Sequence, residues 1–135
     1  MRIFLDANIL FSAARADGAI RRLLVLLRKE KHMLCVNDYV LEEARRNLTA
    51  KASEGLVELD RLLERCQRIP VQPRDLELEG SLPLPEKDRP VLAAAIKASC
   101  DALVTGDRAH FGPLFGRFIE GVKIYSPASL AEKLL

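Results

Sequence analysis

Short apolar runs alternate with amphipathic stretches along the whole chain. Residues 2–6 (Arg-Ile-Phe-Leu-Asp) form an apolar run of β-formers that ends in an acid, the pattern of a buried central strand. Ile20, Leu23, Leu24 and Leu27 then recur at helical spacing, with Arg21, Arg22 and Arg28 off that face, predicting a helix over 19–30. Residues 32–36 (His-Met-Leu-Cys-Val) read as a second strand. Asn37 or Asp38 caps the helix that follows, whose inner face is Val40, Leu41, Ala44 and Leu48. Leu56, Leu59, Leu63 and Cys66 predict a helix over 52–66. Residues 68–72 form a weak strand, and Pro70 within it argues for a sheet edge. Residues 73–86 are rich in proline, have no clear period and read as a long loop.

The second half repeats the pattern. Val91, Leu92, Ala95 and Ile96 give a helix over 87–99, with Pro90 tolerated in its first turn. Residues 102–105 and 122–125 are strands. Ser126 caps a last helix, with Pro127 at its first position and Leu130, Leu134 and Leu135 apolar. Strands alternating with helices from end to end predict an α/β fold with a largely parallel sheet, and no repeat or linker divides the 135 residues, so one domain is expected over 1–135.

Composition narrows the classes. No stretch approaches the roughly 20 apolar residues that span a bilayer, and Asp6 interrupts the N-terminal run too early for a secretory signal. A cytoplasmic protein without a membrane partner is expected. Cys35, Cys66 and Cys100 are widely spaced and fall in apolar runs, which suits buried free thiols better than a zinc site or redox pair. Residues 13–51 hold nine Lys/Arg against five Asp/Glu, and residues 52–88 hold the reverse. The basic half is suited to attracting phosphates, and two ordinary solvated surfaces give the same count.

The candidate chemistry lies in four acids. Asp6 ends the first strand, Asp107 follows the strand 102–105 by two residues, Asp88 stands at a helix entrance and Glu43 lies one to two turns into its helix. In an open parallel sheet these positions share the rim outside the carboxyl ends of the strands. Asp88 and Asp107 also suit ordinary cap and turn roles. A charge at the end of a buried strand is costly without a use, which makes Asp6 the strongest of the four. Carboxylates gathered in one cleft repel one another unless they share a cation.

Four stretches carry a resemblance when taken in order: Asp6-Ala7-Asn8-Ile9-Leu10 after Ile3-Phe4-Leu5, Val40 to Leu48, Asp88-Arg89-Pro90-Val91-Leu92, and Ala102-Leu103-Val104-Thr105-Gly106-Asp107-Arg108. Together they resemble the PIN-domain nucleases. The resemblance implies a three-layer α/β/α sandwich with a mainly parallel central sheet. It also implies a nuclease dependent on Mg2+ or Mn2+ that acts on single-stranded or structured RNA. By matching positions it makes Asp6, Glu43, Asp88 and Asp107 the catalytic and metal-binding acids, with Asn8 and Thr105 as polar supports. Glu43 is preferred to Glu42 because the family's glutamate precedes an apolar residue by five positions, here Leu48. Asp101 precedes its strand and is expected at the far end of the sheet. Arg108-Ala109-His110 departs from relatives that carry another acid there, which leaves a fifth ligand open.

The expected chemistry is in-line attack by a metal-activated water on a phosphodiester, leaving a 5′-phosphate and a 3′-hydroxyl. Asp6 and Asp107 are expected as direct ligands, with Asp88 and Glu43 acting through water or orienting the nucleophile. Arg108, Arg45 and Arg46 are the leading candidates for nucleic-acid contact, with Arg15, Arg21 and Arg22 behind them. Five Phe, two Tyr and no Trp leave little for base stacking. Small members of the family often dimerise, and many are toxins silenced by an antitoxin protein. A non-catalytic RNA- or partner-binding module on the same fold is the alternative. Phospho-acceptor receivers and aspartate-nucleophile phosphatases fit poorly, because Asn8 stands where the latter need a second Asp. Leu82-Pro83-Leu84-Pro85 and Phe111, Phe115 and Phe118 are candidate contact surfaces, with core packing the simpler use of the phenylalanines.

Overall fold

The computed structural model describes residues 1–71 and 78–135. The first strand, β1 (Arg2–Leu5), is central, and Ile3, Phe4 and Leu5 are wholly buried. It pairs in parallel with β2 (Met33–Asn37) on one side and β4 (Ala102–Val104) on the other. Beyond β2 lies β3 (Gln67–Ile69), and beyond β4 lie β6 (Val122–Tyr125) and β5 (Phe118–Ile119), giving the order β3-β2-β1-β4-β6-β5. All pairings are parallel except β5 with β6. The chain thus runs outward from β1 in one direction through β2 and β3, then returns to build the other half from β4. This reversal puts a crevice at the carboxyl ends of β1 and β4, where α/β sheets bind ligands.

Helices join and cover the strands: α1 (Ala7–Arg15), α2 (Ala19–Lys29), α3 (Asp38–Lys51), α4 (Leu56–Leu63), α5 (Arg89–Lys97), α6 (Arg108–Phe111) and α7 (Pro127–Leu134). The architecture is that of an α/β/α sandwich. In α1, Ala7, Ile9, Leu10, Ala13 and Ala14 are buried, and α1 packs on α2, α3 and α4. Gly55, in the turn before α4, lets that turn close on α1. A Cβ there would stand 2.9 Å from Leu48 Cδ2 and 3.0 Å from the Ala14 carbonyl oxygen. Asn37 caps α3 by accepting from the Val40 amide at 3.1 Å, and Ser126 forms a reciprocal cap with Ser129 on α7.

Several expectations change. The periodicity missed α1 altogether, because Ile9-Leu10-Phe11 reads as a run and not as a stripe. It also missed the short hairpin of β5 and β6, which turns at Glu120-Gly121 with both φ angles positive. The helix expected over 52–66 begins with a 3-10 turn over Ser53–Gly55. The strand expected over 68–72 pairs only as Gln67–Ile69, at the sheet edge that Pro70 indicated; Gln72 and the first part of the expected 73–86 loop lie outside the described residues. Leu84 is buried and Leu82 packs on the core, so residues 82–85 are no exposed apolar stretch. Of the three phenylalanines, Phe111 is buried, Phe115 is partly so, and Phe118 is 69% exposed. Cys35 and Cys100 are buried free thiols, and Cys66 is half-buried. Among the described residues no helix is long and apolar enough to cross a membrane.

Candidate active site

Asp6 leaves β1 as the N-cap of α1, the link between the most buried strand and the crevice. Its Oδ1 accepts from the Ala7 amide at 2.8 Å, and its Oδ2 accepts from the Thr105 hydroxyl at 2.8 Å and from Asn8 Nδ2 at 3.2 Å. These bonds and the helix N-terminus favour a carboxylate. Burial opposes them: Asp6 is only 5% exposed. Burial wins. The carboxyl is raised to about 6, chiefly by desolvation, against the hydrogen bonds from Thr105 and Ala7 and with small upward contributions from Glu43 and Asp88.

Asn8 and Thr105 tie the two central strand ends together. Thr105 follows β4, and its hydroxyl oxygen accepts from Asn8 Nδ2 at 3.2 Å and from the Asp107 amide at 3.1 Å. Asn8 Oδ1 accepts from the Gly106 amide at 2.7 Å. A side chain at position 106 would bring its Cβ to 3.3 Å from Asn8 Oδ1, so the close approach favours glycine. Asp107 next caps α6, where its Oδ1 accepts from the His110 amide at 3.0 Å. That leaves Oδ2 outside the cap, 3.0 Å from His110 Nδ1.

Asp88 arrives from a different part of the chain. It ends the 3-10 turn Glu86–Asp88 and starts α5, yet its side chain makes no capping hydrogen bond. The Tyr39 hydroxyl, at the start of α3, donates to the Lys87 carbonyl at 2.9 Å and fixes this turn against α3. Asp88 Oδ2 lies 2.8 Å from His110 Nδ1, and Asp107 Oδ2 lies 3.0 Å from the same nitrogen. The first contact is close but poorly aligned: Asp88 Oδ2 and His110 Nδ1 are buried atoms without an in-line hydrogen-bond partner. Asp88 is raised from the ordinary carboxylate range, first by burial, with Asp107 adding to the rise and His110 opposing it.

The structure therefore brings Asp88, Asp107 and His110 together, with one donor atom from each within 4.8 Å of the others. Asp6 stands beside them through Thr105. Glu43 is half-buried on α3 and close enough to act electrostatically on Asp6 and Tyr39, whereas Glu42 is exposed. Tyr39 itself is raised, first by burial and then by Glu43, Asp88 and Asp6. Asp101 is elsewhere, accepting from the Arg2 amide at 2.8 Å before β4.

The basic residues divide. Arg108 is exposed beside Asp107, and Arg46 is exposed on α3. Arg45 pairs with Asp60 at 2.8 Å. Arg21 is a structural clamp: its guanidinium donates to the Ala13 and Ala14 carbonyls at 2.7 and 3.2 Å and faces Glu58. A cavity of about 370 Å3 opens between Asn8, Ser12, Gly106, Asp107 and Pro127, and Asp107 is the one candidate acid on its wall.

Sequence reasoning missed two residues of this site. His110 lies three positions after Asp107, the spacing that puts two residues on one helix face. Tyr39 gave no signal, since only the fold brings α3 to the turn before α5.

Residues 2–109 match the family model of the PIN domain. Among solved structures the chain is similar to VapBC2 from Rickettsia felis bound to a DNA fragment from their promoter, at 18% identity and a TM-score of 0.66, over 93% of this chain and 98% of that one. It is similar too to DNA-bound VapBC from Salmonella typhimurium, at 14% identity and a TM-score of 0.64, over 94% and 98% of the two chains. At these identities the likeness concerns the fold. No curated protein matched the chain.

Proposed function

The chain belongs to the PIN-domain family, and we propose that it is a nuclease that hydrolyses RNA phosphodiester bonds with the help of Mg2+ or Mn2+. The observation that carries this reading is the meeting of acids from four separate stretches at one rim, with two of them raised by burial and mutual repulsion. A divalent cation shared among such carboxylates relieves both their burial cost and their repulsion.

The donors present fit such an ion. Carboxylate oxygens suit Mg2+ and Mn2+, and Asp88 Oδ2 and His110 Nδ1 are buried without aligned partners. Asp6, Asp88 and Asp107 would hold it, Asp6 either directly or through water. When bound, the ion supplies charge neutralisation at the phosphate and a more acidic water. The chain's own residues do the rest. Asn8 and Thr105 hold the Asp6 carboxylate in one rotamer, as supporting hydrogen bonds do at metal sites. The Glu43 carboxylate, half-buried on α3 and near enough to act electrostatically on Asp6, would take a proton from the attacking water. Tyr39 keeps the Asp88 turn in position. Arg108 and Arg46 offer charge to the RNA backbone, and the cavity beside Asp107 offers room for a group flanking the scissile phosphate.

We further propose that the protein is the toxin of a toxin–antitoxin pair and acts in the cytoplasm. The two solved structures named above are VapBC assemblies on DNA, and the present chain shares their fold over nearly its full length. A small reading frame directly upstream should encode a protein that binds this one and suppresses cleavage; coexpression and co-purification test that.

The enzymatic reading is tested with labelled RNA. Cleavage is expected with Mg2+ or Mn2+, none with chelator, and none from Asp6→Asn in either metal. Undiminished cleavage by a folded Asp6→Asn protein would sink it. Metal-tight binding of RNA without cleavage would favour a binding module instead.

A further inference from the structure

We propose that His110 Nδ1 is itself a ligand of the divalent cation and that this nitrogen makes the centre prefer Mn2+ to Mg2+. The inference depends on the metal-nuclease reading above and adds to its all-oxygen donor set.

Two donor separations match those of a coordination shell. In an octahedral site with bonds of about 2.1 Å, neighbouring donors stand roughly 3 Å apart. His110 Nδ1 lies 2.8 Å from Asp88 Oδ2 and 3.0 Å from Asp107 Oδ2. Nδ1 and Asp88 Oδ2 are buried, face each other and lack an in-line hydrogen bond, so each keeps a lone pair that an ion between them could take. The work of Asp107 is divided: Oδ1 holds the His110 amide at 3.0 Å and fixes the helix turn, while Oδ2 faces the imidazole. Asp107 thus orients the side chain that completes its own site. Imidazole is a borderline donor that Mn2+ accepts more readily than Mg2+ does. The competing role for His110 is as a cation that clamps the two carboxylates from outside the coordination shell.

Pulsed electron paramagnetic resonance on Mn2+ separates these roles without measuring activity. The tag-free, metal-stripped full chain is loaded with less than one equivalent of Mn2+. We expect a directly coordinated 14N signal that converts to 15N when the protein is made with 15N-histidine. The chain has two histidines, His32 and His110. His32 Nδ1 lies 3.1 Å from the N-terminal amine, at the opposite end of the sheet. The signal should survive His32→Gln and vanish in His110→Asn. Mn2+ affinity should fall at least about tenfold in His110→Asn, with a change of less than about threefold for Mg2+. Mn2+ that binds wild type without histidine-nitrogen coupling would overturn the ligand assignment and leave the metal site standing. Failure of Mn2+ to bind wild type at all would overturn both.

Discussion

The two ends of the central sheet handle charge in opposite ways. At the amino ends of the strands, charge and polar groups are satisfied locally. Arg2 donates from Nε and Nη2 to the Ala98 carbonyl at 3.3 and 3.1 Å and from Nη1 to Gln67 Oε1 at 2.6 Å, while its amide bonds Asp101. At the carboxyl ends, Asp6 and Asp88 are raised, and two buried polar atoms lack aligned partners. One rim closes the fold; the other holds unresolved negative charge. The difference marks the carboxyl rim as the candidate site, because strongly perturbed acids cluster where function needs them.

The sharpest way to break this contrast is to neutralise one acid at each rim. Asp6→Asn or Asp107→Asn should reduce metal-dependent cleavage to background, and Glu43→Gln should lower it at least about tenfold. Asp101→Asn should leave it unchanged. Initial rates on one labelled RNA, normalised to folded protein, make the comparison.

A second effect follows from Asp6. Its folded pKa is raised, so the native state binds that proton more tightly than the unfolded chain does. The stability contributed is full below pH 3.8 and is lost as pH rises through about 6. In chelator, the stability of Asp6→Asn relative to wild type should therefore improve by up to about 3 kcal/mol between pH 4 and pH 7. This is a relative change in melting temperature on the order of 5–10 °C. A pH-independent difference would mean that Asp6 is not held protonated by burial.

The closed rim should respond in stability alone. Arg2→Ala removes donors from Ala98 and Gln67 and should cost about 2 kcal/mol in denaturant unfolding, with cleavage per folded molecule intact. The smallest effect is expected at Glu42. It is exposed on α3 beside Glu43, and Glu42→Gln should alter both stability and cleavage within error.

The same contrast explains what the sequence could reveal. β1 and β4 were legible because strands buried on both faces are apolar runs, β6 because Val122, Ile124 and Tyr125 flank a single partly exposed Lys123, and the acids just beyond β1 and β4 were legible as interruptions of those runs. Glu43 needed the family resemblance, since Glu42 and Glu43 look alike until the fold buries one more than the other. Helix α1 was hidden because three of its five buried positions, Ala7, Ala13 and Ala14, are alanines, and Ile9-Leu10-Phe11 reads as a run; its polar side is only Asn8, Ser12 and Arg15. His110 and Tyr39 were hidden for another reason. Their roles come from contacts with Asp88 and the Lys87 carbonyl, at separations no local pattern encodes. Arg21, conversely, looked like a phosphate contact and is tied instead to the end of α1.

The central claim is that the carboxyl rim is one metal site and the amino rim is none. Calorimetric titration of Mn2+ into the metal-free wild type, Asp107→Asn and Asp101→Asn proteins tests it most directly. Saturable binding in wild type and Asp101→Asn, lost or at least about tenfold weaker in Asp107→Asn, is the predicted result. Equal binding by all three, or loss in Asp101→Asn alone, would contradict it.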